Sequence, residues 1–243
     1  MTTRRKVLAS AGVCILAAPA FIGIASAQVD LKVISASPKN VKLHWRNKLG
    51  RNFETLSSLH DHLLLELATP LALMNAGIFE VGSDGNYQPQ GLHVENGEML
   101  RPVNTKSARN ANFYMKPNGI FYIDTYGAHI VRTEDYAPTE QVRVAVQSGP
   151  LLFDKFGVHP SFLEGSNSRK RRNAVALRDE SEVVFALSDY PINFFDFAQT
   201  LRLTHGCSAA LYMDGSISDL WLSSGQRAPN DWQSFSAMLS VSE

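Results

Sequence analysis

Apolar positions in this chain fall mostly into short alternating runs, and a helical period replaces the alternation in only two places. "LKVISAS" (31–37) and "VKLHWRN" (41–47) alternate like two early strands. Over 53–67 the apolar residues Phe53, Leu56, Leu59, Leu63 and Leu67 recur every three or four positions, which predicts a helix, and Pro70 forces an exit. "LALMN" then reads as a strand running into Asn75-Ala76-Gly77. "PQGLHVENGEMLRPVN" and "NGIFYIDTYGAHIVRT" read as hairpins, with Asn96-Gly97 and Asn118-Gly119 as turn dipeptides. "VRVAVQ" is a strand ending at Ser148, and "EVVFALS" (182–188) is another. The second helix is predicted at 194–204, with Asn193 as N-cap, Asp196 in its first turn and Gly206 as its stop. A further strand at 209–213 completes a strand–helix–strand order that fits a βαβ unit with parallel strands. The fold class expected is α/β in the mixed α+β sense. It would be one domain with a mixed, strand-rich sheet core and two main helices.

Residues 1–27 carry a different pattern. Arg4, Arg5 and Lys6 precede an apolar run that ends in Ala25-Ser26-Ala27, a small-residue cleavage pattern before Gln28. The Arg4-Arg5 pair followed by Val7 and Leu8 is twin-arginine-like, although a plain secretory signal also tolerates two arginines. The expectation is an export signal at 1–27 and a functional domain at 28–243, located in the periplasm or secreted. A retained anchor is the rival reading, and Pro19 inside a run of near-minimal spanning length speaks against it. The whole chain has 23 basic and 23 acidic residues; loss of 1–27 leaves 20 against 23. Such a balance gives no electrostatic footprint for nucleic acid, and no later segment calls for a membrane. Only Cys207 is left, so no internal disulfide supports the fold and a sizeable core must. A monomer is expected.

Three polar residues sit at strand ends: Asn75, Ser148 and, past 209–213, Asp214. Ligands gather at the carboxyl ends of strands in βαβ units, so three polar ends outweigh one. The plain alternative for "MDGSIS" is turn chemistry. His60-Asp61-His62 resembles a metal cluster, but residues two apart on a helix point to opposed sides. Arg169-Lys170-Arg171-Arg172 reads as a solvated loop or an anion contact of one or two residues. Cys207 reads as core. Neither a metal site nor a cofactor is indicated by any spacing in the sequence.

Taken in order, "MNAGIF", "PQGLHVENGEMLRP", "FYMKPNGIFYI", "VAVQSGPLLF", "RRNAVAL", "PINFFDFAQTL" and "GCSAALYMDGSIS" resemble the phosphodiester glycosidase family. The likeness runs from about Leu71 to Leu222. One departure is visible: the family's commoner Asp-Gly-Gly-x-Ser is here Asp214-Gly215-Ser216-Ile217-Ser218. The resemblance implies an exported glycosidase that cuts between the anomeric carbon and the phosphate of a sugar-1-phosphodiester, such as one of N-acetylglucosamine. The alternative is a non-catalytic binder of phosphorylated glycans on the same fold. Asp214 would stabilise an oxocarbenium-like transition state, Arg172 would hold phosphate through its planar fork, and Asn75 would meet an acetamido group or a hydroxyl. Gly77, Ser148, Gly149, Gly215, Ser216 and Ser218 would line the substrate. Each has a structural alternative: Asn75 could satisfy a buried turn, and Arg172 could pair with a structural carboxylate. Glu80, Asp84 and Asp124 are candidates for a second carboxylate.

Overall fold

The computed structural model describes residues 30–108, 111–137, 141–214, 217–225 and 227–243. The expected export signal therefore lies outside the described residues, as do Gly215 and Ser216.

Two-residue periodicity dominates because three antiparallel sheets wrap one core. The six-stranded sheet has the spatial order Leu31–Ala36, Glu182–Ser188, Asn173–Asp179, Ala209–Tyr212, Leu151–Asp154, Gly157–Val158. A five-stranded sheet runs Glu98–Arg101, His93–Glu95, Val144–Ser148, Gly119–Ile123, Ala128–Arg132. A four-stranded sheet runs Leu220–Leu222, Pro70–Asn75, Met238–Ser242, Val41–His44. Phe79–Val81 and Tyr87–Pro89 form a separate ribbon. The inner faces, with Met74, Phe121, Val146, Val175, Phe185, Leu211 and Leu239, close on one another as the main core.

The outer faces are covered as well. Ala174, Ala176, Val184, Ala186 and Tyr212 meet the second helix through Phe197, Ala198 and Leu201. Leu73 and Met238 meet the first helix through Leu56, Leu59 and Leu63. A strand buried on both faces loses its alternation and becomes a continuous apolar run, which is why "EVVFALS" reads like a parallel-sheet strand. It is not one. Every strand pair among the described residues is antiparallel. Strands 182–188 and 209–212 do run in the same direction, as a βαβ order requires, but Asn173–Asp179 lies between them, antiparallel to both.

The helices follow their sequence signals closely. The first spans Leu56–Leu65 rather than 53–67, because Thr55 Oγ1 accepts the Ser58 amide at 3.0 Å and starts it there. Leu67, at φ 60°, has already left it. The second is α-helical over Phe194–Gln199 and widens to a π turn over Thr200–Thr204. Asn193 caps it by accepting the Asp196 amide at 2.8 Å. The Asn96-Gly97 turn forms as expected. Asn118-Gly119 does not turn; the reversal occurs at 124–127, where Asp124 Oδ1 accepts the Tyr126 and Gly127 amides. No helix among the described residues is long and apolar enough to cross a membrane.

Candidate active site

The carboxyl ends of three strands, one from each sheet, converge at one corner of the fold. Asn75 ends the four-stranded sheet's Pro70–Asn75, Ser148 ends Val144–Ser148, and Asp214 follows Ala209–Tyr212 by two residues. Asn173, the first residue of the antiparallel strand 173–179, lies among them, fully buried. Its Nδ2 donates to Asn75 Oδ1 at 2.9 Å and approaches Asn75 O at 3.2 Å. Its Oδ1 accepts the Asp214 amide at 3.0 Å. Ser218 Oγ reaches both Asn173 Oδ1, at 3.0 Å, and Asp214 O, so its single proton is shared between them. Asn75 Oδ1 takes a second donor, the Asp219 amide, at 2.9 Å. Ser148 Oγ donates to Met213 O at 3.0 Å.

This hub assigns work to several expected site residues. Asn75 uses its side-chain oxygen inside the protein, as a satisfied buried polar group does. Ser148 and Ser218 spend their hydroxyl protons on the fold. Gly77, at φ +74°, packs so closely that an added Cβ would stand 2.9 Å from Val146 Cγ2. Gly149 is enclosed by segment 112–118, where a Cβ would come within 2.8 Å of Asn118 Cβ and 2.9 Å of Phe113 O. Both glycines are close-packed positions. Asn173 is the member that sequence reasoning missed. Its signal was present in "RRNAVAL", where the adjacent arginine drew the attention.

The other face of the same strands is charged and aromatic. Arg172 is 2% exposed and is not solvated, unlike the expected loop. Its Nε donates to Ile192 O at 2.8 Å and Nη2 to Ser168 O at 2.9 Å, while its guanidinium carbon lies 3.5 Å from the Phe194 ring centre. Tyr212 stands 5.7 Å away, and Phe194 meets it edge-on. Two backbone carbonyls and two rings thus surround the Arg172 guanidinium. The ladder pairs Ala174 with Tyr212, and Met213 N still reaches Asn173 O at 3.3 Å. Beyond that point the ladder ends, and the Asp214 amide turns to the Asn173 side chain. Arg172 and Asp214 both act on the Tyr212 phenol. Burial raises the Tyr212 phenol pKa, the Asp214 charge adds to the rise, and Arg172 opposes it. Burial also works against the Arg172 charge, and Tyr212 supports it.

Other candidates are engaged elsewhere. Glu80 pairs with Arg101 at 2.9 Å, Asp84 caps a turn at Asn86, and Asp124 holds the 124–127 turn. His60 and His62 pair with Asp61 and Glu66 on the first helix's surface. Cys207 is buried among core residues of the second helix. The cavity of about 580 Å³ bounded by Arg132, Asp154, Phe156 and Ala209 lies at the opposite end of strand 209–212, away from Asp214.

Comparison with known proteins relates the chain to a family and its fold to solved structures. Residues 69–239 match the model of the phosphodiester glycosidase family. The uncharacterized protein YigE of Escherichia coli K12 is 31% identical over 217 residues, which cover 88% of this chain and 81% of that protein. Among solved structures, the catalytic domain of zebrafish N-acetylglucosamine-1-phosphodiester α-N-acetylglucosaminidase, auto-inhibited by its pro-peptide, superposes with a TM-score of 0.60. It shares 13% identity over 90% of this chain and 85% of that one. A protein of Burkholderia pseudomallei K96243 described as exported gives 0.57, with 10% identity over 87% and 73%. These two structures share the fold, and the sequence matches carry the assignment: the chain belongs to the phosphodiester glycosidase family.

Proposed function

We propose that this protein is an exported glycosidase that hydrolyses the sugar–phosphate bond of a sugar-1-phosphodiester. The observation that carries the reading is Asp214 held through its amide by the buried Asn173 at a corner where three strand ends meet, in a chain of this family. The leaving group is a phosphate monoester, stable as an anion, so the barrier lies mainly in developing positive charge at the anomeric carbon. Asp214 supplies the negative charge, and Arg172, held by two carbonyls and by Tyr212, contributes positive charge toward the phosphate. Asn75, Asn173, Ser148 and Ser218 act as positioning residues that hold Asp214 and its neighbours. An N-acetylglucosamine diester is the first substrate to try, because the zebrafish neighbour is named for one. The segment 1–27 is removed on export, with the mature chain starting near Gln28.

The test is release of reducing sugar from a panel of hexose and N-acetylhexosamine 1-phosphodiesters, with Asp214→Asn alongside. The reading expects turnover in the wild type and a loss of about 10³-fold in kcat for the variant, with little change in KM. Saturable binding without turnover would instead make the protein a binder of phosphorylated glycans. Release of sugar phosphate would place the cut on the other side of phosphorus and defeat the proposal.

A further inference from the structure

The Asn75–Asn173 hub holds a second carboxylate that neither the family pattern nor the sequence pointed to. Asn75 Oδ1 accepts the Asp219 amide, and Asn173, on the other side of Asn75, accepts the Asp214 amide. Those three bonds and one amide width limit the two backbone nitrogens to about 11 Å apart. Two asparagine side chains thus join the backbone of Asp219 to that of Asp214. Asp219 also lines a cavity of about 510 Å³. Trp221 forms an aromatic wall there, with Lys32 and Arg227 as cations beside it. One carboxyl oxygen is used on the Leu220 amide at 2.9 Å, and the group lies at the rim of a space large enough for a sugar.

We propose that Asp219 is the general base of the reaction, taking a proton from the water that attacks the anomeric carbon. The inference rests on the glycosidase reading above. In the step, the water oxygen forms a bond to the anomeric carbon and its proton passes to the Asp219 carboxylate. The carbon–oxygen bond to phosphate breaks, and its electron pair leaves on the phosphate monoester. Asp214 faces the developing positive charge throughout. Lys32 on strand 31–36, Arg171 ahead of strand 173–179 and Arg227 after strand 220–222 are the charged groups around Asp219. Burial is the largest influence on the carboxyl and raises its pKa; the Leu220 amide, Arg171 and Lys32 pull the other way. A base made stronger by burial suits proton abstraction from water near neutral pH.

The experiment uses the mature chain and N-acetylglucosamine 1-(methyl phosphate), or whichever diester of the panel the wild type turns over. Asp219→Asn keeps the backbone bond to Asn75, so its melting temperature should match the wild type. The variant should lose about 10² to 10⁴-fold in kcat with KM changed less than threefold, and the acidic limb of its pH profile should vanish. Sodium azide, which needs no base, should restore turnover with a glycosyl azide as product. Retention of kcat within threefold overturns the proposal. So does a loss that azide does not relieve and that comes with a lowered melting temperature, because Asp219 would then be structural. If the wild type turns over no diester at all, it is the glycosidase reading that has failed, and the Asp219 role goes with it.

Discussion

Asn173→Ala is the substitution that most directly tests whether the buried amide hub organises the corner. The variant removes Nδ2 from Asn75 and Oδ1 from Asp214 N and Ser218 Oγ. Two of the groups left behind keep another partner: Asn75 Oδ1 retains the Asp219 amide, and Ser218 Oγ retains Asp214 O. The Asp214 amide loses the partner it has in the native structure. An orphaned buried donor costs roughly 1–3 kcal/mol, and each bond lost between groups that keep alternatives about 0.5–1.5 kcal/mol. The total is about 4 kcal/mol. For a chain of this size that corresponds to a fall in Tm of roughly 8–16 °C. Calorimetry reads the stability, and turnover measured well below the lowered Tm separates folding from chemistry. There the variant should still lose kcat, because the turn carrying Asp214 is no longer held. Asn173→Asp is the companion. It keeps the acceptor for Asp214 N but sets a carboxyl oxygen against two Asn75 oxygens, so it should be tolerated at low pH and destabilise as the introduced group ionises. A fall under 3 °C for Asn173→Ala, with kcat intact, would refute the hub as an organiser.

Three further outcomes follow from particular contacts. Arg172→Lys should weaken binding of charged diesters and also cost about 2–4 kcal/mol in urea unfolding, since lysine cannot reach both Ile192 O and Ser168 O while lying flat on Phe194; unchanged stability would show those contacts to be idle. His44 is held largely neutral by burial and by nearby Lys42, with its pKa lowered from 6.5 to about 4. The unfolded chain therefore binds this proton first, so stability is full above pH 6.5 and falls by up to about 3 kcal/mol as pH drops towards 4. His44→Gln should flatten that slope in pH-dependent melting, and an unaltered slope would assign it to other groups. Burial pushes the Cys207 thiol up to about 11, so in the chain beginning at Gln28 it should react with a disulfide reagent at pH 8 only on unfolding; prompt labelling of the native protein would contradict its core position.

Much of the fold was legible because its signals are local. Asn193 and Gly206 mark the ends of the second helix through chemistry that acts within a few residues. The Asn96-Gly97 hairpin is of the same kind. Strand order is not local. A sheet covered on both faces erases the alternation that distinguishes antiparallel from parallel strands, so the insertion of 173–179 between 182–188 and 209–212 left no mark in composition. The convergence of Asn75, Ser148 and Asp214 was legible as three polar residues at strand ends. Asn173 and Asp219 were not, because their importance depends on contacts 98 and 144 residues away in sequence. Arg172 was legible as a cation but not as a buried one, since a run of four basic residues looks solvated until a helix start is seen to close over its last member.

Arg172 and Asn173 are consecutive, and adjacent residues on a strand point to opposite faces. That alternation gives the corner two separate jobs. Arg172 turns to the helix-covered face, where Tyr212 and Phe194 surround it. Asn173 turns the other way and binds only neutral groups: amides, a carbonyl and a hydroxyl. Both carboxylate residues give their backbone nitrogens to this pair of amides. A brace of neutral groups is stable when buried only if every member is satisfied, and each member here has a partner. The corner therefore predicts an asymmetry between its faces. Substitutions among the asparagines and serines should show first in Tm, and those at Asp214 and Asp219 in kcat, while Arg172 shows in both because its guanidinium serves the fold and faces the ligand.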